Sequence, residues 1–211
     1  MDTYQGYLKD IYTEPTPGDT LANLGPLRAM AGVFQGERGA DVNPKPQGPL
    51  TEPYVERYEL QPIDPQTNGP QLFYGLRYHQ HIVRPGEVET FHDQVGYWLW
   101  EPATGVIIQT LTIPRGQTAL AVGRAAPDAK SFELVATRGE TTNGVCSNPF
   151  LEAAFRTDDY RIEVTILDAG CWRYQQTTTL MLEGKTPFLH TDHSTLHKLA
   201  EPTPNPLARR A

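Results

Sequence analysis

Histidines are the side chains of this sequence best suited to metal or proton chemistry, and five of the six fall into two tight groups. The stretch "PFLHTDHSTL" (187–196) packs His190 and His193 around Asp192, with His197 one residue beyond it. The stretch "GLRYHQHIV" (75–83) sets His79 and His81 two residues apart, on one face of a strand. His92 stands alone in the aromatic stretch "VETFHDQVGYWLW" (88–100). A zinc hydrolase needs three protein ligands around an open position, with a carboxylate base nearby. His79 and His81 have no third ligand close by, so they read as a polar strand face. Asp192 and His193 point to opposite faces of an extended segment, which disfavours zinc there too. A single axial imidazole for haem demands less, because the porphyrin supplies the other nitrogens and the protein adds one imidazole over an apolar slot.

Period-two alternation sorts these residues by face. Phe188 and His190 share one face of 187–198 and are expected to point inward. His193 and His197 share the other with Thr191 and Thr195, a polar stripe expected to meet solvent. Of the three histidines, only His190 is therefore expected to have a site role. Asp192 lies on its side and is expected to stabilise the turn or bond a neighbour. In 88–100 one face carries His92, Gln94, Gly96, Trp98 and Trp100, and the other Phe91, Asp93, Val95, Tyr97 and Leu99. Alternation does not say which faces inward. The stretch is either an aromatic core strand with a hydrogen-bonded His92, or a pocket wall carrying Phe91 or His92.

Other chemistries are excluded more simply. There is no G-x-S-x-G elbow, no Walker loop and no dinucleotide fingerprint. Cys146 and Cys171 are too few for a disulfide framework and have no activating motif, so they are expected as reduced thiols of a cytoplasmic protein. The net charge of −7 argues against nucleic acid as a partner. No apolar run reaches membrane-spanning length, and "MDTYQGYLKD" has no secretion-signal pattern.

The elements that must position these residues are mostly strands. Tyr4, Tyr7, Leu8 and Ile11 repeat at helical spacing in an N-terminal extension, residues 1–20. Pro26 and Gly32 bound a short helix over about 26–31. From Val33 onward, Val, Ile, Thr and aromatic runs alternate with turn residues. The spacing predicts ten strands: 33–43, 54–63, 71–83, 90–101, 105–113, 117–124, 131–138, 150–157, 160–167 and 172–183. A last extended piece at 187–198 continues or closes the set. The turns "EPATG", "IPRGQ", "APDAK", "RTDD" and "LDAGC" read as hairpin connections. A meander this long leaves two open edges unless it closes on itself. The expected fold is therefore an all-β, ten-stranded antiparallel up-and-down β-barrel over 21–199, lipocalin-like, with short N-terminal helices and an internal cavity or cleft. The tail at 200–211 has little to bury.

These pieces, in this order, resemble the nitrobindin family of haem-binding barrels that look like fatty-acid-binding proteins. The matching features are a short helix ending in Gly32-x-Phe34-x-Gly36-x-x-Gly39, then the strands, then "FHDQVGYW", then Pro-Phe-x-His190 and the following Thr-Leu. The likeness is strongest to a longer bacterial branch with stretches similar to "ADVNP", "YHQ", "IPRG" and "FLHTDHSTL", and it covers roughly residues 21–199. It implies haem b in a wide cleft, His190 as the proximal iron ligand, and Phe91 and His92 facing the haem cavity. Phe34, in the glycine motif, would lie in the haem region, with Phe188 on the inward face beside His190. Ferric haem in such proteins is thought to isomerise peroxynitrite to nitrate. Two departures stand out. Val33-Phe34 replaces the usual Thr-Trp. His190 precedes Leu196 by six residues instead of five, so either a β-bulge lies between 190 and 196 or Thr191 occupies the ligand position. The alternative reading is a haem-free carrier of a fatty acid or other small hydrophobic ligand, with Arg77, Tyr78, Arg161 and Tyr174 available to hold a carboxylate. A homodimer is compatible with either reading.

Overall fold

Twelve strands form among the described residues, and β4 illustrates why. The ranges are β1 Gly32–Asn43, β2 Leu50–Pro62, β3 Gln66–Asn68, β4 Gln71–Val83, β5 Thr90–Trp100, β6 Val106–Ile113, β7 Gln117–Arg124, β8 Ser131–Thr137, β9 Val145–Ser147, β10 Phe155–Asp168, β11 Cys171–Leu182 and β12 Thr186–Ala200. In β4 the alternate side chains Leu72, Tyr74, Leu76, Tyr78, Gln80 and Ile82 are buried, while Arg77 and His79 are exposed. This is the pattern of a strand with one face on a core. The computed structural model describes residues 13–16 and 20–203. The helix expected around Tyr4–Ile11 and the end of the tail lie outside the described residues.

Ten of the strands close a ring: β1, β2, β4, β5, β6, β7, β8, β10, β11, β12 and back to β1, each antiparallel to its neighbour. Closure gives every ring strand a neighbour on both sides. The two short strands stand outside the ring, β3 on β4 and β9 on β7. The expected barrel is thus present, with a different partition of the chain. The "RTDD" segment is not a turn. Thr157 and Asp159 are opposite Leu180 and Thr179, so Asp158 is an extra residue, a β-bulge inside one long strand, β10. Its carboxylate takes two bonds from Arg156. The residues before β10 form a short helix, α1 (Pro149–Ala154), capped by the Asn148 side chain with Pro149 in its first turn. The tenth ring strand is β12, the piece at 187–198.

One end of the barrel is plugged. Two 3-10 turns, Thr20–Asn23 and Gly25–Met30, stand where one short helix over 26–31 is expected, and they bury Leu24, Leu27 and Met30 completely. Trp98, Trp172, Tyr58 and Phe34 fill the interior above them, and Trp98 Nε1 donates to Tyr58 Oη at 3.2 Å. The opposite end is open on one side. β7 and β8 share only the pairs Val122–Val135 and Gly123–Leu134. Toward Gln117, β7 pairs with β9 instead, and α1 follows directly. The wall there is β9 and α1 instead of a continuous ladder.

No bulge interrupts β12 between residues 190 and 196. It pairs one for one with β11 from Trp172–Leu196 to Thr178–His190. An even spacing of six puts His190 and Leu196 on the same, inward face. The irregularity sits in β1, where Gly36 and Gly39 are opposite Glu56 and Tyr54, three residues' advance against two. The glycines are needed there: a Cβ on Gly36 would collide with Ser194 Oγ, and one on Gly39 with the Tyr54 ring.

Candidate functional site

The open end encloses a cavity of about 510 Å³. Its mouth is apolar, with Ile113, Val145, Phe150, Leu151, Phe155 and Leu180. Its inner wall is polar, with His92, Gln94, Tyr160, Gln176 and His190, and the exposed Arg115 stands at its rim. A smaller void of about 100 Å³ continues the same space between Asp41, Asp192, Tyr54, Gln80 and Phe91. A polar floor under an apolar mouth is the usual arrangement for holding an amphipathic molecule in a fixed orientation.

Three adjacent strands build the floor. Asp41 on β1 stands opposite Asp192 on β12, and His190 lies two residues away on the same face. His190 Nε2 and Asp41 Oδ1 are 2.6 Å apart. Asp41 Oδ2 also accepts from Asn43 Nδ2. Gln176 Nε2, on β11, donates to Asp192 Oδ2 at 2.8 Å, and Tyr160 Oη lies 2.9 Å from Gln176 Oε1. Burial disfavours the His190 cation, but the hydrogen bond and charge of Asp41, with the charge of Asp192, outweigh it and raise its pKa. Burial, helped by the charges of Asp41 and Glu56, pushes Asp192 up to about 8. Burial holds His92 below the ordinary histidine value.

One layer deeper lies a second polar cluster. Glu56 is 1% exposed and accepts from Gln80 Nε2 at 2.7 Å and from Tyr174 Oη at 3.1 Å. Tyr174 Oη is also 2.8 Å from Tyr54 Oη. Burial raises the Glu56 pKa, so these neutral partners surround a carboxyl biased toward its protonated form.

His190, His92 and Phe91 all line this space, and His92 is on the inward face of β5 with Gln94, Trp98 and Trp100. Phe91 also lies under the Arg84 guanidinium, 4.5 Å from its ring centroid. His193 and His197 are exposed. Phe34 is corrected: it is fully buried against Trp172 in the plugged half and lines no part of the cavity. Phe188 is half-buried opposite Leu180 and also lies outside the lining. For the carrier reading, Arg77 and Arg161 face solvent, Arg161 paired with Glu133 at 2.8 Å, while Tyr78 and Tyr174 are interior. The cavity's guanidinium is Arg115, from the β6–β7 turn. Asp41 and Arg115 carry no role in the sequence reading, although "ADVNP" and "IPRG" contain them. Their partners are distant in the chain, and only the fold brings them together.

The comparisons with known proteins agree with this architecture. A family model described as "THAP4-like, heme-binding beta-barrel domain" matches residues 23–198. The chain belongs to this family. The nitrobindin resemblance read from the sequence points to the same family. Among solved structures, the crystal structure of Rv2717c from M. tuberculosis superposes with a TM-score of 0.60 at 20% identity, covering 86% of this chain and 98% of that one. At that identity the likeness is one of fold. No curated protein sequence matches.

The site fits haem only in part. The volume and apolar mouth suit a porphyrin, and Arg115 and Lys45 line the cavity where carboxylates could be met. The iron donor is already engaged. His190 Nε2, the nitrogen an axial histidine commonly offers, is 2.6 Å from Asp41 Oδ1, so haem iron would have to displace that bond to take it.

Proposed function

We propose that this barrel is a binding protein for a small amphiphile with an anionic head, taken up through the gap beside β9 and α1. The observation that carries the reading is Arg115. This exposed turn residue lines the rim of the cavity, and it forms no ion pair among the described residues. It donates to the Phe91 carbonyl through a long, 3.5 Å bond. A cation at the edge of a part-enclosed apolar space favours a carboxylate there. The apolar body of the ligand then packs on Phe150, Leu151, Phe155 and Leu180.

Fatty acids and haem b, with its propionates, share this chemistry. Family membership favours haem as the ligand. The Asp41–His190 bond supports a fatty acid or a similar molecule instead, since haem iron would have to break that bond to take His190 as its ligand. Titration of the purified protein with a fluorescent fatty acid and, separately, with haemin decides between them. The expected result is fatty-acid binding that Arg115→Leu weakens at least about tenfold, roughly 1.4 kcal/mol, and no haemin Soret band that depends on His190. One-to-one haemin uptake lost in His190→Ala, with no fatty-acid binding, would reverse the assignment.

A further inference from the structure

We propose that Asp41, His190 and Asp192 form a binding site for one divalent first-row transition-metal ion at the floor of the cleft. One ligand atom from each residue lies within 4.8 Å of the other two. Donors bound about 2.1 Å from a single ion stand roughly 3.4 Å apart in a tetrahedron, so small side-chain rotations close the set. The backbone supports this convergence, since Asp41 and Asp192 are paired across β1 and β12 and His190 shares their face.

Two further observations point to a cation. The residues line a void of about 100 Å³, which exceeds the roughly 30 Å³ of liquid volume per water and leaves room for an ion with bound water. The region also holds three carboxyl side chains, Asp41, Asp192 and the deeper Glu56, against one directly bonded imidazole. A carboxyl group in a partly enclosed interior is either protonated or matched by a cation, and a divalent ion here would take the place of the protons on Asp192 and between His190 and Asp41. A metal ion held between His190 Nε2 and Asp41 Oδ1 replaces the proton that now bridges them. His92 and Asn43, which also line the void, stand as further donors. One imidazole with two carboxylates is a borderline donor set, suited to Zn²⁺, Mn²⁺ or Fe²⁺ over Mg²⁺ or Cu(I). Arg115 borders the same void but is no part of the donor set, and the site does not depend on the amphiphile reading.

Calorimetric titration of chelator-stripped full-length protein with Zn²⁺, and with Co²⁺ followed by its visible spectrum, tests the site. The expected result is one ion per chain, with affinity reduced at least about tenfold by Asp41→Asn, His190→Gln or Asp192→Asn. The outer-face double variant His79→Gln/His81→Gln should leave uptake unchanged. No stoichiometric uptake of Zn²⁺, Co²⁺ or Mn²⁺ by the wild type overturns the proposal, whatever the variants do. Uptake that survives Asp41→Asn/His190→Gln, or that depends on His79 and His81, overturns it equally.

Discussion

At the scale of single residues, Asp192 couples the site to stability. Burial, with the charges of Asp41 and Glu56, pushes its carboxyl from the ordinary 3.8 up to about 8 in the folded chain. Between those values the unfolded chain releases a proton that the folded one retains, so raising the pH favours unfolding. His190, with its pKa raised, acts in the same direction: its stabilising contribution is present below about pH 6.5 and is lost as pH rises through its folded value. His92, with its pKa lowered, acts in the opposite sense. The expected outcome is that wild type loses stability relative to Asp192→Asn as pH climbs from about 4 to 8, by an amount on the order of a few kcal/mol. Urea midpoints measured across that range in the presence of chelator read it directly. The cavity-facing side of His190 was legible because strand alternation is strictly period two, while Phe188, two residues before it, is only half-buried and lines no part of the cavity. The partner of His190 was not, because Asp41 lies 149 residues away in sequence. Phe34 was misplaced because a position on a first barrel strand does not say which end of the barrel it fills.

At the scale of elements, local signals were read well where they had one meaning and badly where they had two. Turn residues bounded β6, β7 and β8 correctly. The acidic pair in "RTDD" looks like a turn and is a bulge, because Arg156 and the Arg138 amide satisfy Asp158 within a continuous strand. Asn148 shows how a single residue ties an element to the site. Its Oδ1 accepts from the Phe150 and Leu151 amides, and its Nδ2 donates to the Arg115 carbonyl at 2.6 Å. One side chain thus starts α1 and fixes the turn that carries the cavity's guanidinium. Asn148→Ala is expected to cost about 1–2 kcal/mol, the usual loss for an N-cap. Because the second bond is lost too, hydrogen exchange should rise in 145–154 and around Arg115 while the plugged end stays protected.

At the scale of the whole molecule, closure decides stability. β12 is the last ring strand and pairs with both β11 and β1, bringing Ala200 opposite Val33. A chain ending at Lys185 would leave β1 and β11 as unpaired edges and open the core at Leu196. Such a truncation is expected to lose cooperative unfolding and to aggregate, as light scattering and denaturant titration would show. Barrel closure was legible because a long meander has no other way to remove its edges. The plug and the lopsided cavity were not, since they depend on which aromatic side chains meet in the middle. The sparse β7–β8 seam has a consequence for how such a chain diversifies. Residues 138–154 lie outside the closing ladder, yet they furnish much of the rim. Insertions, deletions or exchanged sequence there could retune which molecules enter while every inter-strand register of the ring stays as it is, which makes this segment the natural place to graft a new specificity onto an unchanged scaffold.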